Sequence, residues 1–129
     1  MASWKQFTQG LAARLGALEY SSGGRDITAL CTGVESGRVL LSRVGSTVTV
    51  VLYDVVVPGS GWTRLCGLPV GFRPVIDVRR DLPYAVQSQQ WAIYTSGSLY
   101  INAGTGVRKD SLTYGTANPP PAEPPGTAA

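Results

Sequence analysis

Few residues in this chain are able to carry out chemistry, and their types narrow the options at once. The sequence contains no histidine, so a Ser-His or Cys-His dyad and a histidine metal ligand are excluded. Cys31 and Cys66 lie far apart in apolar, strand-like runs, and two isolated thiols do not have the spacing of a zinc site. We interpret them as small buried residues, because a disulfide would need an oxidising compartment that nothing in the sequence indicates.

Asp77 and Asp81 are a possible pair of carboxylates of the kind that glycoside hydrolysis requires. Arg79 and Arg80 lie between them, so solvated ion pairs on a loop are favoured over catalysis. The sequence has no Gly-x-Ser-x-Gly elbow and no Gly-Lys-Ser/Thr phosphate-binding motif. We therefore predict that the protein is not an enzyme and uses no metal or cofactor.

Recognition is the alternative to catalysis, and aromatic side chains late in the chain supply the groups for it. Sugars are held by aromatic faces together with polar side chains. The candidate ligand-binding residues are Tyr84, Trp91, Tyr94 and Tyr100. The competing interpretation is that Trp91 belongs to the core and that the tyrosines cover sheet edges or a subunit interface, since aromatics dominate cores and interfaces alike.

Length and composition favour one domain with part of its surface in an interface. A chain of 129 residues can form one core but not two. Only 15% of the residues are charged, where about a quarter is usual, so part of the surface is expected to meet another subunit. The alternative explanation is the number of small turn residues, including 16 glycines. The net charge is +3 with scattered basic residues, which does not predict a nucleic-acid partner.

The sequence does not predict insertion into a membrane. No apolar run reaches the length of about 18 residues that a transmembrane helix needs. Met1–Tyr20 lacks the apolar core of a signal peptide, because Lys5, Gln6 and Arg14 interrupt it. These patterns predict a soluble protein made in the cytoplasm.

The first residues, Met1–Leu18, are predicted to form a short helix that Ser3 caps. Such a helix is marginal in water when isolated, so it must dock on its own domain, on copies of itself or on a larger partner. Apolar residues recur at steps of three or four through Trp4, Phe7, Leu11, Leu15 and Leu18, and the candidate contact residues among them are Trp4, Phe7, Leu11 and Leu18.

The rest of the chain predicts an all-β domain, a β-sandwich or jelly roll, because short strands alternate with turn signals about every 8–12 residues. One predicted hairpin joins Arg38–Val44 to Thr47–Val57 through Gly45-Ser46, and a second joins Gln90–Thr95 to Ser98–Asn102. The expected core residues are Val39, Leu41, Val48, Val50, Leu52, Leu65, Ile93 and Ile101. The predicted units are a helix over 1–20, the β domain over 21–118 and an extended Pro-rich tail over 119–129.

Four further segments are predicted as strands or have faces that the sequence predicts to be buried. Arg25–Cys31 is predicted to bury Ile27 and Leu30, and Val75–Val78 is predicted to be a short strand. In the apolar strand Trp62–Leu68, alternation places Trp62 and Cys66 on one face and Leu65 on the other. The run Val55–Val57 is apolar on both faces, which indicates cover by a second sheet or a neighbouring subunit.

The turn that follows this strand, LPVGFRP at Leu68–Pro74, resembles a Leu-Pro-x-Gly-Phe/Tyr-Arg-Pro signature of small phage minor tail proteins and tail-fibre domains. Arg25–Thr28 and the glycine-containing segment Gly37–Gly45 resemble the opening of such proteins from phages of actinobacteria. The run Gly97–Asn102 resembles their penultimate strand. The resemblance covers roughly Arg25 to Asn118.

The resemblance implies a sandwich domain that forms a homotrimer in the virion tail, contacts other tail proteins and attaches to a bacterial surface glycan or protein. We also predict that the turn Leu68–Pro74 is structural, because Gly71 allows a backbone conformation that a Cβ would resist, and that Phe72 packs against the domain. No ligand residue carries over from the family. Two alternatives remain: a structural decoration or adaptor protein without a host ligand, and a small hydrolase of the cell wall.

Overall fold

The computed structural model describes residues 20–59, 61–81, 90–103 and 107–129. In these ranges the chain is mostly β structure, as predicted, and forms two antiparallel sheets. Its strands are β1 Arg25–Asp26, β2 Ser36–Val44, β3 Thr47–Val56, β4 Gly61–Gly67, β5 Val78–Asp81, β6 Gln90–Ile93, β7 Ser98–Ala103, β8 Arg108–Gly115 and β9 Thr127–Ala128. The predicted N-terminal helix and its contacts Trp4, Phe7, Leu11 and Leu18 lie outside the described residues. None of the helical segments in the described part is long and apolar enough to cross a membrane.

The larger sheet has five strands in the order β8-β3-β2-β1-β9 and is built on the first predicted hairpin. Val44 pairs with Thr47 across the two-residue turn, and Gly45 has a φ of 59°. Glycine adopts this left-handed conformation without strain, and a type II′ turn requires it at its first central position. The prediction of this hairpin is confirmed.

The smaller sheet has four strands in the order β4-β7-β6-β5. The second predicted hairpin forms its centre, with Trp91 opposite Ile101 and Ile93 opposite Leu99. These cross-strand pairs share the buried face, as alternation predicts.

One core takes residues from both sheets. The indole Nε1 of Trp91 donates to Oδ2 of Asp110 on β8 at 2.9 Å, and Nε of Arg80 on β5 donates to the same oxygen at 2.7 Å. The Asp110 carboxylate therefore joins the inner faces of the two sheets. All eight expected core residues are buried: Val39, Leu41, Val48, Val50, Leu52, Leu65, Ile93 and Ile101.

A register shift in β4 overturns the predicted faces of that strand. The pairing of β4 with β7 shifts between Arg64 and Cys66, so Leu65 and Cys66 are both buried. Trp62, predicted to share a face with Cys66, is instead 41% exposed. A β-bulge adds one residue to a strand and thereby reverses the alternation beyond it.

The strand predicted at Arg25–Cys31 ends after Asp26, and a 3₁₀ turn follows over Thr28–Leu30. The backbone N–H and the hydroxyl of Thr28 both donate to Oδ1 of Asp26, at 2.9 and 2.6 Å, which diverts the chain from the sheet. Ile27 is buried as predicted, but Leu30 is 54% exposed, so that prediction is wrong. The strand predicted at Val75–Val78 likewise begins only at Val78.

A second register shift explains the apolar run at the end of β3. The pairing with β8 shifts between Leu52 and Val55, and Asp54 lies in the left-handed region with a φ of 53°. As a result, Val55 and Val57 are buried in the chain's own core and Val56 is half-buried. This run needs no neighbouring subunit to cover it.

The Pro-rich segment, predicted as an extended tail, is docked along the larger sheet. Its strand β9 pairs with β1, and the backbone N–H of Ala129 donates to the carbonyl of Gly24 at 3.0 Å. The guanidinium of Arg25 donates to the carbonyls of Pro125 and Gly126 at 2.9 and 3.0 Å. Backbone pairing and one arginine therefore hold a segment that contributes little apolar burial.

The LPVGFRP turn contains a 3₁₀ turn, Val70–Phe72, and Phe72 is fully buried as predicted. Gly71 has no left-handed φ; a Cβ on this residue would lie 2.6 Å from Cδ of Pro121. Glycine is needed here because the C-terminal segment passes close to it, and not for its backbone freedom as predicted.

A buried arginine links this turn to two other parts of the chain. Arg43, on the inner face of β2, donates to the carbonyls of Gly45 at 2.7 Å, Gly71 at 2.6 Å and Asn118 at 2.9 Å. Burial lowers the pKa of its guanidinium. We call this group of contacts the arginine junction; it joins the β2–β3 turn, the LPVGFRP turn and the start of the C-terminal segment.

Candidate functional site: an aromatic face on the four-stranded sheet

The outer face of the four-stranded sheet carries a cluster of flat side chains. The sheet's inner face is in the core, so alternation along each strand directs the other residues outward. We call this surface the aromatic face and define it by Trp62, Arg64, Arg79, Tyr94 and Tyr100.

One cross-strand row runs the full width of this face. Arg64 on β4 pairs with Tyr100 on β7, Tyr100 with Ala92 on β6, and Ala92 with Arg79 on β5. Two guanidinium groups therefore flank one tyrosine and one small residue. Ala92 itself is buried, because the long side chains around it cover its methyl group.

Trp62 and Arg79 meet over the sheet although they come from its two edge strands. The guanidinium carbon of Arg79 lies 5.1 Å from the centre of the Trp62 ring. Strands lie about 4.8 Å apart, so β4 and β5 are separated by roughly 14 Å and both side chains must lie across the face. The small Ala92 leaves room for them. A cation–π contact of this kind contributes about 0.5–1 kcal/mol at an exposed site.

Tyr94 and Tyr100 form the second part of the aromatic face. Their ring centres are 5.5 Å apart and the ring planes are nearly perpendicular, at 83°. Edge-to-face packing is a preferred arrangement of two aromatic rings. Both rings are half-buried, so each keeps surface for a ligand.

The LPVGFRP turn supports the hairpin that carries these tyrosines. The N–H of Leu68 donates to the carbonyl of Gly97 at 2.7 Å, and Nε of Arg73 donates to the carbonyl of Leu68 at 3.0 Å. Gly97 has a φ of 88°, and a Cβ there would lie 2.6 Å from the Leu68 carbonyl oxygen. The turn therefore fixes the end of the β6–β7 hairpin between Tyr94 and Tyr100.

The aromatic face has positive charge that the described residues do not neutralise. Nε of Arg64 donates to the hydroxyl of Ser98 at 3.2 Å, and the Arg79 guanidinium stacks on Trp62. Among the residues that the structure describes, the one ion pair joins Arg80 to Asp110 and uses neither of these arginines. Their remaining N–H groups are available to acceptors on a ligand.

The carboxylates considered for catalysis have structural partners. Oδ1 of Asp77 accepts the backbone N–H of Thr95 at 2.8 Å, and Oδ1 of Asp81 accepts from the amide of Gln90 at 2.6 Å. The described part of the chain contains no cluster of three Cys, Asp or Glu side chains that could hold a metal ion.

The predicted ligand-binding residues do not all lie at one place in the structure. It brings Tyr94 and Tyr100 together on the aromatic face, while Tyr84 lies outside the described residues. Trp91 is fully buried and hydrogen-bonded to Asp110, so it belongs to the core and its prediction as a ligand-binding residue is wrong.

Sequence reasoning missed Trp62, Arg64 and Arg79 as members of the face. The alternation of Trp62 and Arg64 along β4 was visible and could have indicated an exposed aromatic strand face. Arg79 could not be found in this way, because its place beside Trp62 depends on the order of strands in the sheet.

Comparison of the sequence with models of known protein families gives no match, and comparison with curated proteins gives none either. Function is therefore inferred from the geometry of the aromatic face and from the resemblance of the LPVGFRP turn.

Proposed function

We propose that this protein is a component of a phage tail and that its aromatic face attaches to a glycan on the bacterial host surface. The observation that carries the proposal is the outward cluster of three aromatic rings and two arginines with no carboxylate partner among the described residues. In this proposal the two sheets form a β-sandwich whose hydrogen-bonded LPVGFRP turn fixes the binding hairpin.

The groups on the aromatic face match the two kinds of surface that a sugar ring presents. The C–H side of a pyranose ring packs on an aromatic ring such as that of Trp62, and burial of that apolar area is favourable. Its hydroxyl groups need donors and acceptors at the rim. Arg64, Ser98 and Asn102 lie next to the rings and supply them.

The placement in a phage tail is supported by the ordered resemblance over Arg25 to Asn118. The low charged fraction of 15% and the resemblance also support a homotrimer with contacts to other tail proteins. The mass of the full chain by light scattering tests the trimer, and a stable monomer at high concentration would remove it from the proposal.

Replacement of Trp62 by Ala should weaken binding to host cells or to their purified surface polysaccharide about tenfold or more. Removal of a central aromatic anchor typically costs about 2 kcal/mol or more, and 1.4 kcal/mol corresponds to a factor of ten. The stability of the domain should change little, because Trp62 is 41% exposed. Binding is measured by cell pull-down and by calorimetry with the polysaccharide.

The matched control is Tyr53→Ala on the outer face of the five-stranded sheet. Tyr53 is 40% exposed and also stacks with cations, since Arg38 and Lys109 lie 5.0 and 5.5 Å from its ring centre. Equal loss of binding in both variants would contradict the aromatic face as the site. No binding by the unchanged protein to any host surface preparation would favour the structural adaptor instead.

A further inference from the structure

The fold brings together the two cysteines that lie in separate parts of the sequence. The backbone N–H of Thr32 donates to the carbonyl of Leu65 at 2.7 Å, although these residues are 33 positions apart. Each is the chain neighbour of a cysteine, so the backbones of Cys31 and Cys66 are adjacent. The Cys31 thiol packs against the core cluster that contains Cys66 and donates to the carbonyl of Ile27 at 3.4 Å. The sequence had placed them only as unrelated buried residues.

The thiol pair lies at the junction between the two sheets. Cys31 follows the 3₁₀ turn Thr28–Leu30 that leaves β1 of the five-stranded sheet, whereas Cys66 belongs to β4 of the four-stranded sheet. Both are in the thiol form. Cys31 is only half-buried, so small molecules can approach the pair from its side.

We propose that Cys31 and Cys66 are an oxidation site at which a small peroxide produces an intramolecular disulfide between the two sheets. The proposal depends on the position of the two thiols and is independent of what the aromatic face binds.

The reaction takes place in two balanced steps. The Cys66 thiol releases its proton, the resulting thiolate attacks one oxygen of hydrogen peroxide, and the O–O bond breaks. Cys66 becomes a sulfenic acid, and the departing hydroxide takes up the released proton and leaves as water. The Cys31 sulfur then attacks the Cys66 sulfur, an S–S bond forms, and the sulfenic oxygen leaves as a second water after it takes up the Cys31 proton. Two thiols are oxidised by two electrons, and one peroxide is reduced to two waters.

The surroundings assign these roles to the two thiols. The neighbouring Cys31 thiol lowers the pKa of Cys66; burial opposes this effect, and the positive charge of Arg64 adds to it. The neighbouring Cys66 thiol and burial raise the pKa of Cys31. Cys66 is therefore the first nucleophile, and Cys31 is the resolving thiol.

The test is peroxide titration of the folded, full-length chain, followed by mass spectrometry and thiol counting in denaturant. Equimolar peroxide should remove both free thiols, lower the intact mass by two hydrogens and give one linked peptide pair, Cys31 with Cys66, within one chain. Dithiothreitol should restore both thiols. Because the disulfide closes a loop in the unfolded chain and so lowers the conformational entropy of the unfolded state, it should also raise Tm by about 10 °C.

Single substitutions distinguish this pair from ordinary exposed thiols. With Cys31→Ser, Cys66 lacks its resolving partner and should accumulate as a sulfenic acid that a dimedone probe captures. The pairing would be overturned if the unchanged folded chain gained oxygen at either cysteine without loss of two hydrogens. Disulfide links only between chains, or two intact thiols after excess peroxide, would overturn it as well.

Discussion

Replacement of Phe72 by Ala is expected to lower the free energy of unfolding by about 3–5 kcal/mol, the usual cost of removing a buried phenyl ring. Phe72 belongs to the LPVGFRP turn, and its side chain is fully buried in the core cluster. Its backbone carbonyl accepts a hydrogen bond of 2.6 Å from the hydroxyl of Tyr114, so the chain around it has little freedom to close the cavity. For a domain with a stability of about 5–15 kcal/mol, this is a large fraction of the total.

Urea titration, with unfolding monitored by tryptophan fluorescence, measures this decrease in the free energy of unfolding. The control is Val70→Ala, which shortens an apolar residue of the same 3₁₀ turn that is 52% exposed. Its free energy of unfolding should change by no more than about 0.5 kcal/mol. Similar urea midpoints for the unchanged protein and Phe72→Ala would mean that the turn does not depend on this ring.

Replacement of Arg43 by Met is expected to lower the free energy of unfolding by about 3 kcal/mol, which is the second large effect. Methionine keeps the apolar stem but leaves the carbonyls of Gly45, Gly71 and Asn118 without their shared donor. A buried acceptor that loses its partner costs about 1–3 kcal/mol. Relief of the desolvated charge offsets part of this cost, but with three carbonyls involved the net change should still be destabilising.

The loss should be greatest where the arginine junction holds the C-terminal segment. Hydrogen exchange at the backbone amides of Thr127 and Ala129 should become faster in Arg43→Met than in the unchanged protein. The control is Arg38→Met, which removes an exposed arginine from the same strand. Undiminished stability together with unchanged exchange at the C-terminal amides would contradict the role given to the junction.

Local alternation was enough to predict the hairpins and the core. In β2, β3, β6 and β7, apolar residues recur every second position, and all eight expected core residues are buried. The same pattern misassigned the face of Cys66 and left open what covers Val55, because each follows a register shift that adds a residue without any change in composition. A bulge is decided by the partner strand, which the local sequence does not contain.

Long-range contacts account for the remaining differences. The docking of β9 and the role of Gly71 depend on the C-terminal segment, which is far from both partners in sequence. The candidate site likewise has one part that local sequence predicts and another that depends on long-range contacts. Tyr94 and Tyr100 were predicted from one hairpin, whereas the contact of Trp62 with Arg79 required the order of four strands.

The pairing of β1 with β9 also sets an order of events during synthesis on the ribosome. The side chain of Arg25 on β1 donates to the carbonyl of Gly126, which lies 101 positions later, just before β9. At a synthesis rate of about 5–20 residues per second, β9 is completed roughly 5–20 s after β1. During that time β1 has no strand on its outer side. On a polysome, adjacent nascent chains present this same open edge to one another. An edge of only two residues offers too few backbone groups for a stable strand addition between chains, which protects the nascent domain until β9 arrives.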